Sequence, residues 1–134
     1  MEDPKKILLE GLRIQAQLKI YHWQTRVFAE HEAFGDAYDT IQALFDKFIE
    51  AFQGRFGRIT VDGISNIPLM DLASSNIPKF VTSAAAFFNQ VNIKLYVTDS
   101  NTALFVLTDE IELALLKLSY FLSFDEKWQN QNQK

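Results

Sequence analysis

The chain has 134 residues, the length of one domain, and we expect residues 1–134 to fold as a single unit. It has no cysteine, which excludes disulfides, thiolate zinc sites and cysteine nucleophiles and suits a reducing cytoplasm. The formal net charge is −4 and the densest basic cluster is only Lys5 and Lys6, which argues against a nucleic-acid partner. No apolar run approaches the ~20 residues of a membrane span.

The first predicted helix begins near Pro4, after Asp3 as N-cap, and runs to about Gln24. Its apolar residues form one face of Ile7, Gly11, Ile14, Leu18 and Tyr21, and a nearly opposite face of Leu9, Leu12, Ala16, Ile20 and Trp23. A helix that is apolar on two faces must be covered on both. One face can pack in a bundle, and the other predicts contact with a second subunit.

The second predicted helix runs from about Ala29 to Phe56, and Gly54 and Gly57 are expected to end it. Its core stripe is Phe34, Tyr38, Ile41, Phe45, Phe48, Phe52 and Phe56. A long connection, Arg58 to Ser75, follows, with one short helix expected around Pro68 to Ala73. Within this connection, Arg58 to Val61 is the only strand candidate.

Asn76 and Pro78 open the third predicted helix, and Thr98 to Ser100 predict a break before the fourth. The expected inward residues are Phe80, Ala84, Phe87, Phe88, Val91 and Leu95, then Leu104, Leu107, Ile111, Ala114, Leu115, Leu118 and Leu122. The polar tail Gln129 to Lys134 is expected to fray. Four long helices with a long middle connection predict an all-α four-helix bundle.

Both histidines lie beside the predicted turn Thr25 to Phe28. On one continuous helix His22 and His31 would lie on opposite sides, but a turn between them could bring them together. Histidine is the commonest metal ligand in proteins. The pair is therefore a candidate for nitrogen ligation of a metal ion.

Asp46 and Glu50 are four residues apart in the second helix and share a face, so they could hold a hard or borderline cation. His31 and Asp46 are fifteen residues apart, which is roughly 22 Å along one helix. Since metal bonds are about 2 Å long, one chain cannot bring them to the same ion. Two antiparallel copies of this helix across a two-fold axis could.

The segment Lys19 to Glu50 resembles Dps-type mini-ferritins of the ferritin-like superfamily, and in particular the short Dps-like proteins of phages and other viruses. His22–Trp23, His31, Tyr38, Asp46 and Glu50 match the offsets of that motif. The resemblance implies a ferritin-like four-helix bundle and a homo-oligomer between a dimer and a dodecamer. It also implies a host-cell cytoplasmic location if the source is viral.

From the same resemblance we expect a site for iron in which His22 and His31 of one subunit meet Asp46 and Glu50 of its two-fold mate. The site could hold a di-iron centre. Zinc or manganese could substitute for iron. Oxygen or peroxide would be the oxidant of a ferroxidase reaction, and Trp23 could quench radicals or simply pack. The Lys-rich DNA-binding tail of some members is missing.

Two departures favour a different class of function. Gly35 stands where the family has a carboxylate, with Asp36, Glu30 or Glu32 as nearby substitutes, and the loop between the histidines is three residues shorter than in typical members. The alternative is a non-catalytic helical oligomer, structural or protein-binding, with a degraded site.

Each candidate ligand also has an ordinary structural interpretation. His22 could be an interface residue, His31 a helix-start residue, and Asp46 with Glu50 a solvated helix flank. Asp109 and Glu110 in the fourth helix are a further acidic pair, for which capping, salt bridging or interface polarity is a more frequent role than metal binding.

Overall fold

A computed structural model of the chain describes residues 3–63, 66–96, 101–125 and 127. In these residues the secondary structure is four α-helices and one 3-10 turn, without any β-strand. The elements are α1 (Pro4–Gln24), α2 (Phe28–Phe56), the turn Leu72–Ser74, α3 (Ile77–Tyr96) and α4 (Thr102–Leu122). The prediction of an all-α four-helix bundle is confirmed. The strand candidate Arg58 to Val61 is wrong, since those residues form neither a strand nor a bridge.

The predicted bounds of α1 and its N-cap, Asp3, are confirmed. The Asp3 side chain accepts a hydrogen bond from the Lys5 N–H, and Pro4 occupies the first turn, where its missing N–H costs nothing. One face of α1 is fully buried, with Ile7, Ile14, Leu18 and Tyr21 at most 1% exposed. The opposite face is partly open to solvent: Leu12 is 42% and Trp23 65% exposed.

α2 begins one residue before the predicted start, at Phe28, and continues through Gly54. Only Gly57 ends it, at φ +95°, a conformation that glycine adopts without a steric penalty. Most of the predicted aromatic stripe is buried, but Tyr38 is only partly buried and Phe56 is 44% exposed. Apart from Tyr38, the stripe is therefore in the core from Phe34 to Phe52, and it leaves the core at Phe56.

The contact between α1 and α2 is close at Gly11. A Cβ placed on Gly11 would lie 2.1 Å from Cζ of Phe45, so the Phe45 ring occupies the space of the missing side chain. Phe45 in turn packs edge-on against Phe88 of α3, with ring centroids 6.1 Å apart. One glycine thus lets a large ring reach across the bundle.

Residues 57–63 and 66–76, between α2 and α3, run alongside α1. Lys5 Nζ donates to the Asp62 carbonyl at 3.4 Å near the start of α1. Gln17 makes two hydrogen bonds to the Met70 backbone, at 2.7 and 2.9 Å. Near the end of α1, Gln24 accepts a hydrogen bond from the Leu72 N–H at 2.7 Å. These contacts return the chain to the end of the bundle where α1 finishes. α3 therefore starts there, antiparallel to α1.

Tyr21 anchors the end of this connection. Its hydroxyl donates to Oγ of Ser75 at 2.8 Å, and Ser75 donates to the Asp71 carbonyl at 2.8 Å. Burial raises the pKa of the Tyr21 phenol above its ordinary 10.0, while the Ser75 hydrogen bond and the Arg13 charge act in the opposite direction. The short helix expected around Pro68 to Ala73 is reduced to the 3-10 turn Leu72–Ser74.

α3 and α4 are antiparallel, as the bonds from Asn92 Nδ2 to the Phe105 carbonyl and to Thr108 Oγ1 indicate, at 2.8 and 3.0 Å. Most predicted inward residues of both helices are buried, but Phe80, Phe87, Leu107 and Ala114 are only partly so. Ile77, Val81 and Ala85 complete the α3 core and were not predicted. The expected break at Thr98 to Ser100 and the tail Gln129 to Lys134 lie outside the described residues.

Among the helices of the described ranges, none has an apolar stretch sufficient to cross a membrane.

Candidate metal centre

The two histidines lie where α1 gives way to α2. His22 is in the last turn of α1 and His31 in the first turn of α2, separated by the three non-helical residues 25–27. Thr25 shapes this turn: its N–H donates to the Tyr21 carbonyl, and its Oγ1 accepts from the Val27 N–H at 3.2 Å. The short turn folds the two helices back on each other and brings the histidines together.

The imidazole rings of His22 and His31 stack, with centroids 3.8 Å apart and ring planes 16° from parallel. Nδ1 of each ring lies 2.7 Å from the backbone carbonyl oxygen of the other residue. Because a carbonyl oxygen can only accept, each Nδ1 must carry a proton. In the neutral rings Nε2 then holds the lone pair, which is the tautomer that a metal ligand requires.

Both histidines are only partly buried. Neither Nε2 takes part in a hydrogen bond with any other described residue. A backbone carbonyl bound to the second ring nitrogen is a common way of orienting a metal-binding histidine. The pair thus offers two oriented nitrogen donors.

Gly35 lies beneath the His22 ring, one turn after His31. A Cβ at this position would lie 2.9 Å from Cε1 and 3.0 Å from Nδ1 of His22. The ring occupies the space that a carboxylate side chain would need here. Gly35, in place of the expected carboxylate, thus allows the His22 ring to approach α2 closely. The sequence analysis did not predict this contact. The available signal was a glycine inside a long helix.

The nearby carboxylates have different surroundings. Glu30 is 4% exposed and is held by the Thr25 hydroxyl at 2.7 Å and the Lys127 ammonium at 3.0 Å, so it stabilises the turn instead of facing an open site. Glu32 and Asp36 are exposed. Asp36 lies beside a groove between α2 and α4, away from the histidine pair.

Asp46 and Glu50 are exposed on α2, and Asp46 lines an open surface depression with Leu12 of α1. Their place in the continuous helix keeps them several turns from the histidines of the same chain. In the described part of one chain, no three His, Asp or Glu side chains come together as a metal-binding group. The structure brings His22 and His31 together, and leaves Asp46 and Glu50 apart from them on the same helix.

Other residues of the sequence pattern have partners of their own. Lys19 Nζ lies 4.4 Å from the ring centroid of Tyr38 and 5.5 Å from that of Trp23, so one ammonium joins both aromatics. Asp109 is exposed and accepts from Asn92 Nδ2 at 2.9 Å, an interhelical role. Glu110 is exposed beside the α2–α4 groove.

Compared with curated proteins and with solved structures, the chain shows no significant match. One family model matches residues 22–122, which include both histidines, Asp46 and Glu50. That match covers most of the chain and extends from the end of α1 through α4. The chain belongs to the family described as "Family of unknown function (DUF5856)".

Proposed function

We propose that the chain is a Dps-like, ferritin-like protein that binds and oxidises ferrous iron at a site shared between two copies. The observation that carries the proposal is the reciprocal hydrogen bonding of His22 and His31. Nδ1 of each ring lies 2.7 Å from the carbonyl oxygen of the other residue, which fixes both rings in the metal-binding tautomer. Two histidines locked in this way from opposite sides of a turn resemble the nitrogen half of a metal site.

Two features of the bundle support the ferritin-like assignment. Residues 57–63 and 66–76 contact α1 between Lys5 and Gln24, as a long crossing connection does in a ferritin-like bundle. The outer face of α1, with Leu12 42% and Trp23 65% exposed, is apolar enough to need a partner, and a second copy would cover it.

The second copy would also complete the ligand set. The histidines of one subunit would bind the ferrous ion through Nε2, and Asp46 and Glu50 of its mate would offset the positive charge with carboxylate oxygens. Mixed nitrogen and oxygen ligands suit iron that reacts with oxygen or peroxide, and would also accept zinc or manganese. Asp46 and Glu50 are both exposed, so the described residues of their own chain do not cover them.

An anaerobic titration of the purified protein with ferrous ion, followed by oxygen or peroxide, tests the proposal, with particle mass measured by light scattering on the same sample. We expect stoichiometric binding and then ferric absorbance. The variant His31→Asn removes Nε2 but keeps an N–H near the position of Nδ1. It should lose binding and keep the fold, whereas Asp109→Asn, the matched control, should bind as the unaltered chain does. Unchanged binding by His31→Asn would rule out this site.

Subunit complementation tests whether the site is shared. His31→Asn and Asp46→Asn should each lose binding alone, because every site in either oligomer lacks a ligand. Unfolded together and refolded as a mixture, the two variants should regain binding, since each mixed pair contains one site with intact histidines and intact carboxylates. Recovery in the mixture supports a two-fold site, and no recovery would place the carboxylates elsewhere.

A non-catalytic helical oligomer is the second candidate function, and one observation favours it. The histidine hydrogen bonds also tie the last turn of α1 to the first turn of α2, which is a sufficient structural role without metal. In that case the titration shows no binding above a buffer blank, and His31→Asn leaves the particle mass unchanged.

A further inference from the structure

The outer face of α4 carries large apolar side chains in contact with solvent. Leu113 is 64%, Tyr120 61% and Val106 45% exposed, and these three residues recur every seven positions. Seven residues are nearly two helical turns, so they form one straight stripe. Phe124, 72% exposed, extends the stripe beyond α4 and packs against Tyr120 with ring centroids 5.0 Å apart. Several adjacent side chains of this size mark a surface that a partner covers.

A groove of about 340 Å³ lies beside the stripe, between α2 and α4. Its α2 wall is formed largely by small residues, including Ala33, Ala37 and Thr40, and its α4 wall includes Leu113 and Phe121. Small side chains on one wall and large ones on the other leave room for the side chains of a helix laid against the stripe.

Glu110 and Lys117 flank the same stripe, seven residues apart. This spacing is roughly 10 Å along the helix axis, too far for a direct ion pair within one chain. Among the described residues neither forms a salt bridge, and Lys117 Nζ instead lies 5.6 Å from the Phe121 ring centroid. One acidic and one basic group at matched positions on an apolar stripe are complementary to an antiparallel copy of themselves.

We propose that α4 is a second self-association surface, at which α4 of one chain packs antiparallel against α4 of another around a two-fold axis between Leu113 and Ala114. In this register Glu110 of each copy faces Lys117 of the other, twice by symmetry. Leu113 lies at the axis and Val106 faces Phe121. The occupant is a second copy because the charge pattern is self-complementary, as an interface with two-fold symmetry requires.

This surface is distinct from the outer face of α1 used in the proposed iron site. Leu113 lies between α2 and α4, whereas Leu12 lines a depression between α1 and α2. Variants on α4 leave His22, His31, Asp46 and Glu50 unaltered, so failure of the α4 contact and failure of the iron site can be observed separately.

Charge reversal tests the register. The experiment uses the full chain with Leu12→Glu added, so that association through α1 does not contribute. Lys117→Glu and Glu110→Lys each place like charges opposite each other at two positions, and each alone should dimerise about tenfold more weakly than the parent. When the two variants are mixed at equal amounts, only opposite charges face each other in a mixed dimer. With one variant isotopically labelled to separate their nearly equal masses, native mass spectrometry should find mixed dimers well above the statistical half. A statistical mixture, or single variants as strongly dimeric as the parent, would overturn the proposal.

The absence of cysteine allows a second, geometric test. Leu113→Cys places a thiol at the two-fold axis, where a short bis-maleimide should join two chains. Val106→Cys lies on the same stripe, but in this register the two copies of residue 106 are separated by roughly 22 Å along the axis. Efficient cross-linking of Leu113→Cys and not of Val106→Cys supports the register. Equal cross-linking of both, or of neither, contradicts it and leaves the stripe for a different protein partner.

Discussion

The imidazole of His22 lies directly over Gly35, so closely that a Cβ at residue 35 would be 2.9 Å from its Cε1 atom. The same ring is held by a 2.7 Å hydrogen bond from its Nδ1 to the His31 carbonyl. Gly35 and the histidine pair therefore form one unit, in which the missing side chain makes room for the stacked rings.

Gly35→Ala should displace the His22 ring. Alanine usually stabilises a helix interior by about 0.5–1 kcal/mol over glycine, but here we expect no net gain because the ring must move. The Nδ1–H proton of His22 should lose its hydrogen-bonded resonance in proton NMR spectra, and ferrous binding, if the proposed site is correct, should weaken about tenfold. Gly54→Ala is the matched control, since a Cβ there meets no atom within 4 Å, and it should raise the free energy of unfolding. An unshifted His22 resonance in Gly35→Ala would contradict the close contact.

Gly11→Ala should destabilise the bundle. The new Cβ would lie 2.1 Å from Cζ of Phe45, and relief of this overlap should cost about 1–3 kcal/mol in the free energy of unfolding. Chemical denaturation measures the loss. Phe45→Leu alone also destabilises, but it should reduce the effect of Gly11→Ala in the double variant, because the two residues share one space. Additive effects would show that the ring does not fill the Gly11 site.

Gln17 should be a stabilising residue despite its polarity. It is 1% exposed, and its amide makes both an accepting and a donating bond to the Met70 backbone. Gln17→Ala should cost about 1–3 kcal/mol and speed hydrogen exchange at the Met70 amide. Gln90→Ala, at an exposed position on α3, is the control and should change stability by less than about 0.5 kcal/mol. Equal losses of unfolding free energy in Gln17→Ala and Gln90→Ala would contradict an anchoring role for Gln17.

Tyr21 should make the protein less stable at high pH. Burial raises the pKa of the folded-state phenol above 10.0, so the neutral form is favoured in the fold. The stability from this difference is fully present below pH about 10 and is lost as pH rises towards the folded-state pKa.

Tyr21→Phe isolates this contribution. At pH 7 the variant should lose about 1 kcal/mol because the bond to Ser75 is gone. Between about pH 9 and pH 11, the interval around the ordinary tyrosine pKa, the melting temperature of this variant should fall less steeply than that of the parent. Tyr120→Phe, at a residue 61% exposed, should follow the parent curve. Parallel curves for Tyr21→Phe and the parent would contradict a raised pKa.

The spacing of apolar residues predicted the helices of this chain, because each helical segment buries one face and the residues of that face recur at helical intervals. Asp3, Pro4 and Gly57 determined helix ends, since a cap depends on a few neighbouring residues. The adjacency of His22 and His31 could also be anticipated, because only a short turn separates them. The distance from His31 to Asp46 follows from helix geometry alone.

Only the tertiary structure decided the contacts between residues distant in sequence. Gln17 and Gln24 read as ordinary polar helix residues, yet they bind residues 70–72 across more than forty positions of chain. Gly11 was predicted only as part of the buried face of α1, and Gly35 only as a missing carboxylate, yet each admits an aromatic ring from another helix. Likewise Glu30, predicted as a substitute carboxylate for the metal site, is buried and bound by Thr25 and Lys127. Local patterns determine which face of a helix is apolar, but which side chain fills which space depends on how the helices pack against one another.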